Sequence, residues 1–152
     1  SSDADIRVSF KEPGSWSYVG TDALGIPEDK PTLNYGTLAT FENPDEAMHA
    51  ALHEFGHALG LVHEFQNPSA GDVFDPAVVR ETYGKPPYSW SDADIDINFL
   101  KKATNYPGER TYDRFSVMNY TFPENLFMPS MSPKPGPHLS ESDKTYIASL
   151  YP

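Results

Sequence analysis

The chain has 152 residues, a length suited to one domain with a buried core. Eleven Lys and Arg against twenty-two Asp and Glu leave a net charge of −11, which excludes nucleic acid or an anionic membrane surface as partner, because phosphate binding needs basic patches. With no cysteine there is no disulfide and no zinc–thiolate site, and an aromatic content of 13% excludes a disordered chain.

No apolar run approaches the length of a membrane span, so no membrane insertion is expected. No signal peptide is legible, and Ser1-Ser2-Asp3 reads as the start of a mature form or of a trimmed chain. Asp5-Ile6-Arg7-Val8-Ser9-Phe10 alternates polar and apolar and predicts a half-buried strand. Pro13-Gly14 is a turn, and Trp16-Ser17-Tyr18-Val19-Gly20 a short aromatic segment. Thr32 to Leu38 alternates again and predicts a strand at a sheet edge. Asn43-Pro44-Asp45-Glu46 combines a cap, a first-turn proline and a capping-box glutamate, so a helix is expected from there to Leu59. Alanines 47, 50, 51 and 58 keep that helix slim enough to pack against a sheet. A short helix is expected from Asp75-Pro76 to Tyr83-Gly84, and another from Ser91 to about Lys102. Asp92, Asp94, Asp96 and Asn98 mimic the start of a calcium loop, but Ile97 stands where glycine is required and Thr104 where glutamate is, so the helix is preferred. Residues 123–137 read as an ordered loop, and Leu139-Ser140-Glu141-Ser142-Asp143 caps a last helix ending at Leu150.

The segment from His53 to Glu64 reads His-Glu-Phe-Gly-His-Ala-Leu-Gly-Leu-Val-His-Glu. His53 and His57 are four apart and share one helix face. A catalytic zinc takes three protein ligands at about 2.0–2.1 Å and keeps one position for water. Gly60 can adopt the left-handed conformation that ends a helix, letting the chain turn and return His63 as third ligand. Glu54 is placed to face the activated water as general base rather than to ligate. His49 lies one turn before His53 and reads as a neighbour of the site, and His138 as a surface residue. One catalytic Zn2+ is the expected cofactor.

This pattern, followed by Ser116-Val117-Met118-Asn119-Tyr120, resembles the metzincin zinc peptidases, and the Ser-x-Met-x-Tyr turn with Glu64 directly after the third histidine resembles their astacin branch. The resemblance implies an α+β, zincin-like catalytic domain. It would have a twisted, mostly parallel sheet with an antiparallel edge strand, an active-site helix, and a mostly irregular second half ending in a helix. It implies a single catalytic domain over 1–152, with an upper part (1–60) and a lower part (61–152). Met118 then matches the apolar floor beneath the histidines, Tyr120 a phenol that can stabilise the oxyanion, and Glu64 the family glutamate in its polar network. Residues 120–127 would wall the pocket on the leaving-group side. The chain departs from the branch in having no cysteine, in Phe65-Gln66-Asn67-Pro68 after the glutamate, and in Asn119 where histidine is common. It resembles a compact microbial relative.

The expected activity is zinc-dependent hydrolysis of internal peptide bonds by a secreted, extracellular monomer acting on proteins or peptides. Glu54 and Tyr120 are the expected catalytic residues, His53, His57 and His63 the metal ligands, and Gly60, Glu64 and Met118 their supports. Asn34, Tyr35, Gly36 and Thr37 are expected to bind substrate by adding its backbone to the sheet. The alternative is a zinc-holding, non-catalytic module that binds protein or glycan, which would leave Glu54 without a task.

Overall fold

The computed structural model describes residues 4–104 and 111–152. Ser1, expected to start a mature form or a trimmed chain, lies outside them. The chain forms two compact units. The first holds the chain up to Val62 with Ser116–Met118 and Pro135–Pro152; the second holds His63–Phe115 with Asn119–Lys134. The half expected at 61–152 is thus shared between them.

The first unit contains a three-stranded mixed sheet of order β1-β3-β2, where β1 is Val8–Ser9, β2 Ser15–Ser17 and β3 Leu33–Tyr35. β1 runs parallel to β3 with Val8 opposite Leu33, and β2 antiparallel with Trp16 opposite Asn34. The expectation of a mostly parallel sheet is corrected: one pairing is parallel and one antiparallel, and β2 is the antiparallel edge. The expected strands at 5–10 and 32–38 shrink to two and three residues.

The placing of Thr32–Leu38 at an edge is also corrected. β3 is central, and the reason lies in Asn34. This side chain is fully buried and donates to the carbonyls of Glu12 (2.9 Å) and Gly14 (2.7 Å), pinning the β1–β2 loop over β3. Gly36 closes the same corner by donating its N–H to Gly14 O at 3.0 Å. A Cβ there would overlap the Glu12 carbonyl oxygen and stand 2.9 Å from that of Gly14. Gly36→Ala is therefore expected to destabilise the protein by about 3 kcal/mol or more, read as a lower denaturant midpoint at unchanged slope. A midpoint within error of the parent would show that the corner relaxes freely.

Helix α1, Pro44–Ala58, packs on β2 and β3. Asn43 caps it by accepting from Asp45 N at 2.9 Å, Pro44 opens the first turn, and Asp45 and Glu46 face the positive end of the helix dipole. Its carboxyl end is a Schellman turn: Gly60 N–H donates to His57 O (2.8 Å), Leu61 N–H to Gly56 O (3.0 Å), and Gly60 sits at φ +97°. The last helix, called α4 below, is Glu141–Leu150, opened by the Ser140–Asp143 capping box. Tyr146, Ile147 and Leu150 of α4 pack with Leu52, Leu59 and Leu139 around buried Leu61, Val117 and Met118.

The second unit has its own core of Phe65, Ala70, Val73, Phe74, Val79, Ile95, Phe99, Leu126 and Phe127. Phe74 is its hub, with ring centroids of Phe65, Phe99, Phe122 and Phe127 at 4.9–5.7 Å, and it bridges to Phe127 across the backbone. Helix α2 is Pro76–Tyr83; α3 is Asp92–Ile95, continuing as a π turn to Leu100. Arg80 pairs with Asp92 (2.9 Å) and Asp96 (2.6 Å), so the acidic run is a helix face held to α2 rather than a calcium loop.

Candidate metal centre

His53 and His57 lie on one face of α1, both buried, with ring centroids 4.8 Å apart. Four-residue spacing produces that alignment. His53 Nδ1 lies 2.9 Å from Val117 O and His57 Nδ1 2.7 Å from Leu61 O. A ring nitrogen facing a carbonyl carries the proton, so each imidazole presents Nε2 as its lone pair. The Schellman turn therefore does more than the sequence suggested. Gly60 lets the chain reverse, and the reversal aims the Leu61 carbonyl back at His57.

His63 follows the turn, and its ring stacks on Phe65 (5.0 Å) and meets Tyr120 at 4.7 Å. His53, His57 and His63 each bring one ligand nitrogen to within 4.8 Å of the others. A tetrahedral ion at about 2.0–2.1 Å needs nitrogens about 3.4 Å apart, which lies inside that envelope. Three imidazoles with at least two tautomers fixed fit a divalent transition metal.

Burial sets the protonation of these groups. His53 is pushed down to about 3, chiefly by burial and next by its neighbour His57; His57 is also lowered by burial. Glu54, only 5% exposed, is raised to about 7 by burial. The sign of the pH dependence follows. His53 stays neutral when folded down to about pH 3 and His57 takes its proton less readily than when unfolded, so both cost stability as pH falls below the unfolded value of 6.5. Glu54 acts oppositely, losing its stabilising contribution as pH rises through about 7, and offsets one of the two imidazoles. The melting temperature of the metal-free protein is expected to rise between about pH 5 and 6.5. A flat profile would show that the imidazoles titrate as if exposed.

Glu64 is fully buried and accepts from Asp113 N (2.9 Å) and Asn67 Nδ2 (3.4 Å), so it organises the second unit's polar interior. Met118 is fully buried. Gly56, inside the motif and unremarked in the sequence, makes room for it: a Cβ there would lie 2.5 Å from Met118 Sδ. A glycine inside a helix costs about 1 kcal/mol relative to alanine, and that cost next to a ligand was the available signal of a packing reason. His49 Nδ1 lies 3.1 Å from Gly136 O, and His138 is exposed.

The four residues expected to bind substrate make framework contacts. Asn34 and Gly36 hold the β1–β2 corner, and Thr37 Oγ1 bonds Ser15 Oγ at 2.7 Å. Tyr35 donates to Ala51 O on α1 at 2.8 Å; burial first, then the charge of Glu54, raises its phenol to about 12.

A small α+β chain with a mixed sheet, helices and this three-histidine group has a metallopeptidase-like fold. No family model and no curated protein matches it. Solved structures do. It is similar to myroilysin in one structure at 34% identity and TM-score 0.79, over 97% of this chain and 73% of that one. A crystal structure of myroilysin matches at 37% identity and TM-score 0.61, over 97% and 66%. The chain belongs to the myroilysin family.

Proposed function

We propose that the chain is a zinc-dependent endopeptidase of the metzincin class with an astacin-like turn. The observation that carries this is the three-histidine group with buried Glu54 directly beside His53 on the same helix. His53 and His57 would hold the ion through Nε2, with His63 as the third ligand. When bound, zinc acidifies a water and polarises a carbonyl. Glu54 accepts the proton of the attacking water and returns it to the leaving amine, a task its carboxylate can do from its place directly beside His53 on α1.

Tyr120 is 37% exposed and its ring meets that of His63 at 4.7 Å, which puts a phenol beside a proposed ligand, where it would donate to an oxyanion. Tyr120→Phe is expected to lower kcat by about 10- to 100-fold with little change in KM. Unchanged kinetics would make Tyr120 a packing residue. With β3 central, a substrate backbone adding to the described strands would pair with an edge, β1 or β2. No described helix is long and apolar enough to cross a membrane. Action as a secreted monomer on protein or peptide substrates belongs to the same proposal.

Casein digestion with and without 1,10-phenanthroline tests it. Digestion that stops with the chelator and returns with zinc supports the peptidase; zinc binding without digestion supports the binding module.

A further inference from the structure

The structure assigns Asp143 of α4 as the positioning residue that fixes the backbone carbonyl to which His53 is tied. Asp143 is fully buried. Its Oδ2 accepts from Val117 N (2.9 Å) and from Ser140 N (3.1 Å), and its Oδ1 from Ser116 Oγ (2.7 Å). Ser116 Oγ in turn accepts from Met118 N at 3.1 Å. Residues 116–118 are thereby pinned from one carboxylate. The middle one, Val117, turns its carbonyl to His53 Nδ1 at 2.9 Å. One chain of contacts runs from α4 through Asp143 and Val117 to the proposed ligand.

A helix cap alone does not account for this burial. The chain contains its own comparison at α3, where Ser91 and Asp94 form the same capping box. Ser91 N lies 3.2 Å from Asp94 Oδ2, and Asp94 is exposed. Capping therefore proceeds without burying the carboxylate, and burying one costs free energy unless donors surround it. Asp143 has such donors, and Ser116 Oγ and Val117 N among them belong to the segment that orients His53. The charge of Asp143 also acts on that imidazole.

This inference rests on the proposed zinc site, because the consequence of a fixed Val117 carbonyl is a fixed Nε2. Partners one shell out from metal ligands typically change affinity by 10- to 100-fold when removed. Asp143→Ala, Ser116→Ala and, as a capping control, Asp94→Ala would be compared by two measurements. The first is the zinc dissociation constant by chelator competition; the second is the 15N tautomer signature of His53 in the metal-free protein. Asp143→Ala is expected to weaken zinc by about 10-fold or more and to mix the His53 tautomers, Ser116→Ala to weaken it at least about threefold, and Asp94→Ala to do neither. Should Asp143→Ala fail to fold, Ser116→Ala decides. Zinc affinity within about threefold of the parent and an unchanged tautomer in the folded variant would overturn the assignment. A parent that holds no zinc would instead sink the proposed function, and the metal-free tautomer would still judge Asp143.

Discussion

Glu54→Gln is expected to lower kcat by about 1000-fold or more while the protein keeps its metal. Glutamine has nearly the same shape, so α1 and the neighbouring imidazoles should be undisturbed. What it lacks is a carboxylate that can take a proton and return it. In the metal-free protein burial raises Glu54 to about 7; a divalent cation nearby favours the charged form and brings it down again. The variant also removes a carboxylate that is costly to bury, so its melting temperature should equal or exceed that of the parent. Zinc content and thermal stability unchanged with activity lost would isolate the chemistry. Full activity would mean that another group is the base.

His57→Ala is expected to abolish tight zinc binding, by more than the 10- to 100-fold that a supporting residue controls. His57 is buried, and its Nδ1 is engaged by Leu61 O, so the imidazole sits in one orientation with Nε2 committed to the cluster. Alanine removes a ligand, leaves the Leu61 carbonyl without that donor, and opens a cavity beneath the Schellman turn. The sensitive measurement is the melting temperature with and without added zinc. Binding to the folded state alone stabilises by about 4 kcal/mol at a thousandfold excess over Kd, so the parent should show a clear upward shift. The variant should show none. A zinc-dependent shift of parent size in His57→Ala would remove this histidine from the ligand set.

The candidate site was legible because its parts are local. Three histidines, Glu54 and Gly60 fall within eleven residues, and helical period alone brings His53 and His57 together. The helix starts were legible for the same reason, since Asn43-Pro44, Asp75-Pro76, Ser91 and Ser140 act within their own first turns. The sheet was not. Strands of two and three residues carry too little alternation to state an order, and β3 became central through the buried amide of Asn34, whose partners lie 20 and 22 residues away. The framework bonds of residues 34–37 were hidden for the same reason. The second core was equally illegible, because Phe65, Phe74, Phe99, Phe122 and Phe127 come largely from segments without a period. Asp143 showed its capping role in the sequence but not its bonds to Ser116 and Val117, which depend on a contact 26 residues distant.

Titrating the metal-free protein with zinc while following cleavage of an internally quenched peptide tests the zinc-peptidase account most directly. Cleavage should be absent at the start, rise in proportion to added zinc, and level off at one zinc per chain, the capacity of the single three-histidine group among the described residues. Saturation at one zinc per chain without cleavage would contradict it and leave a metal-holding binding module in its place.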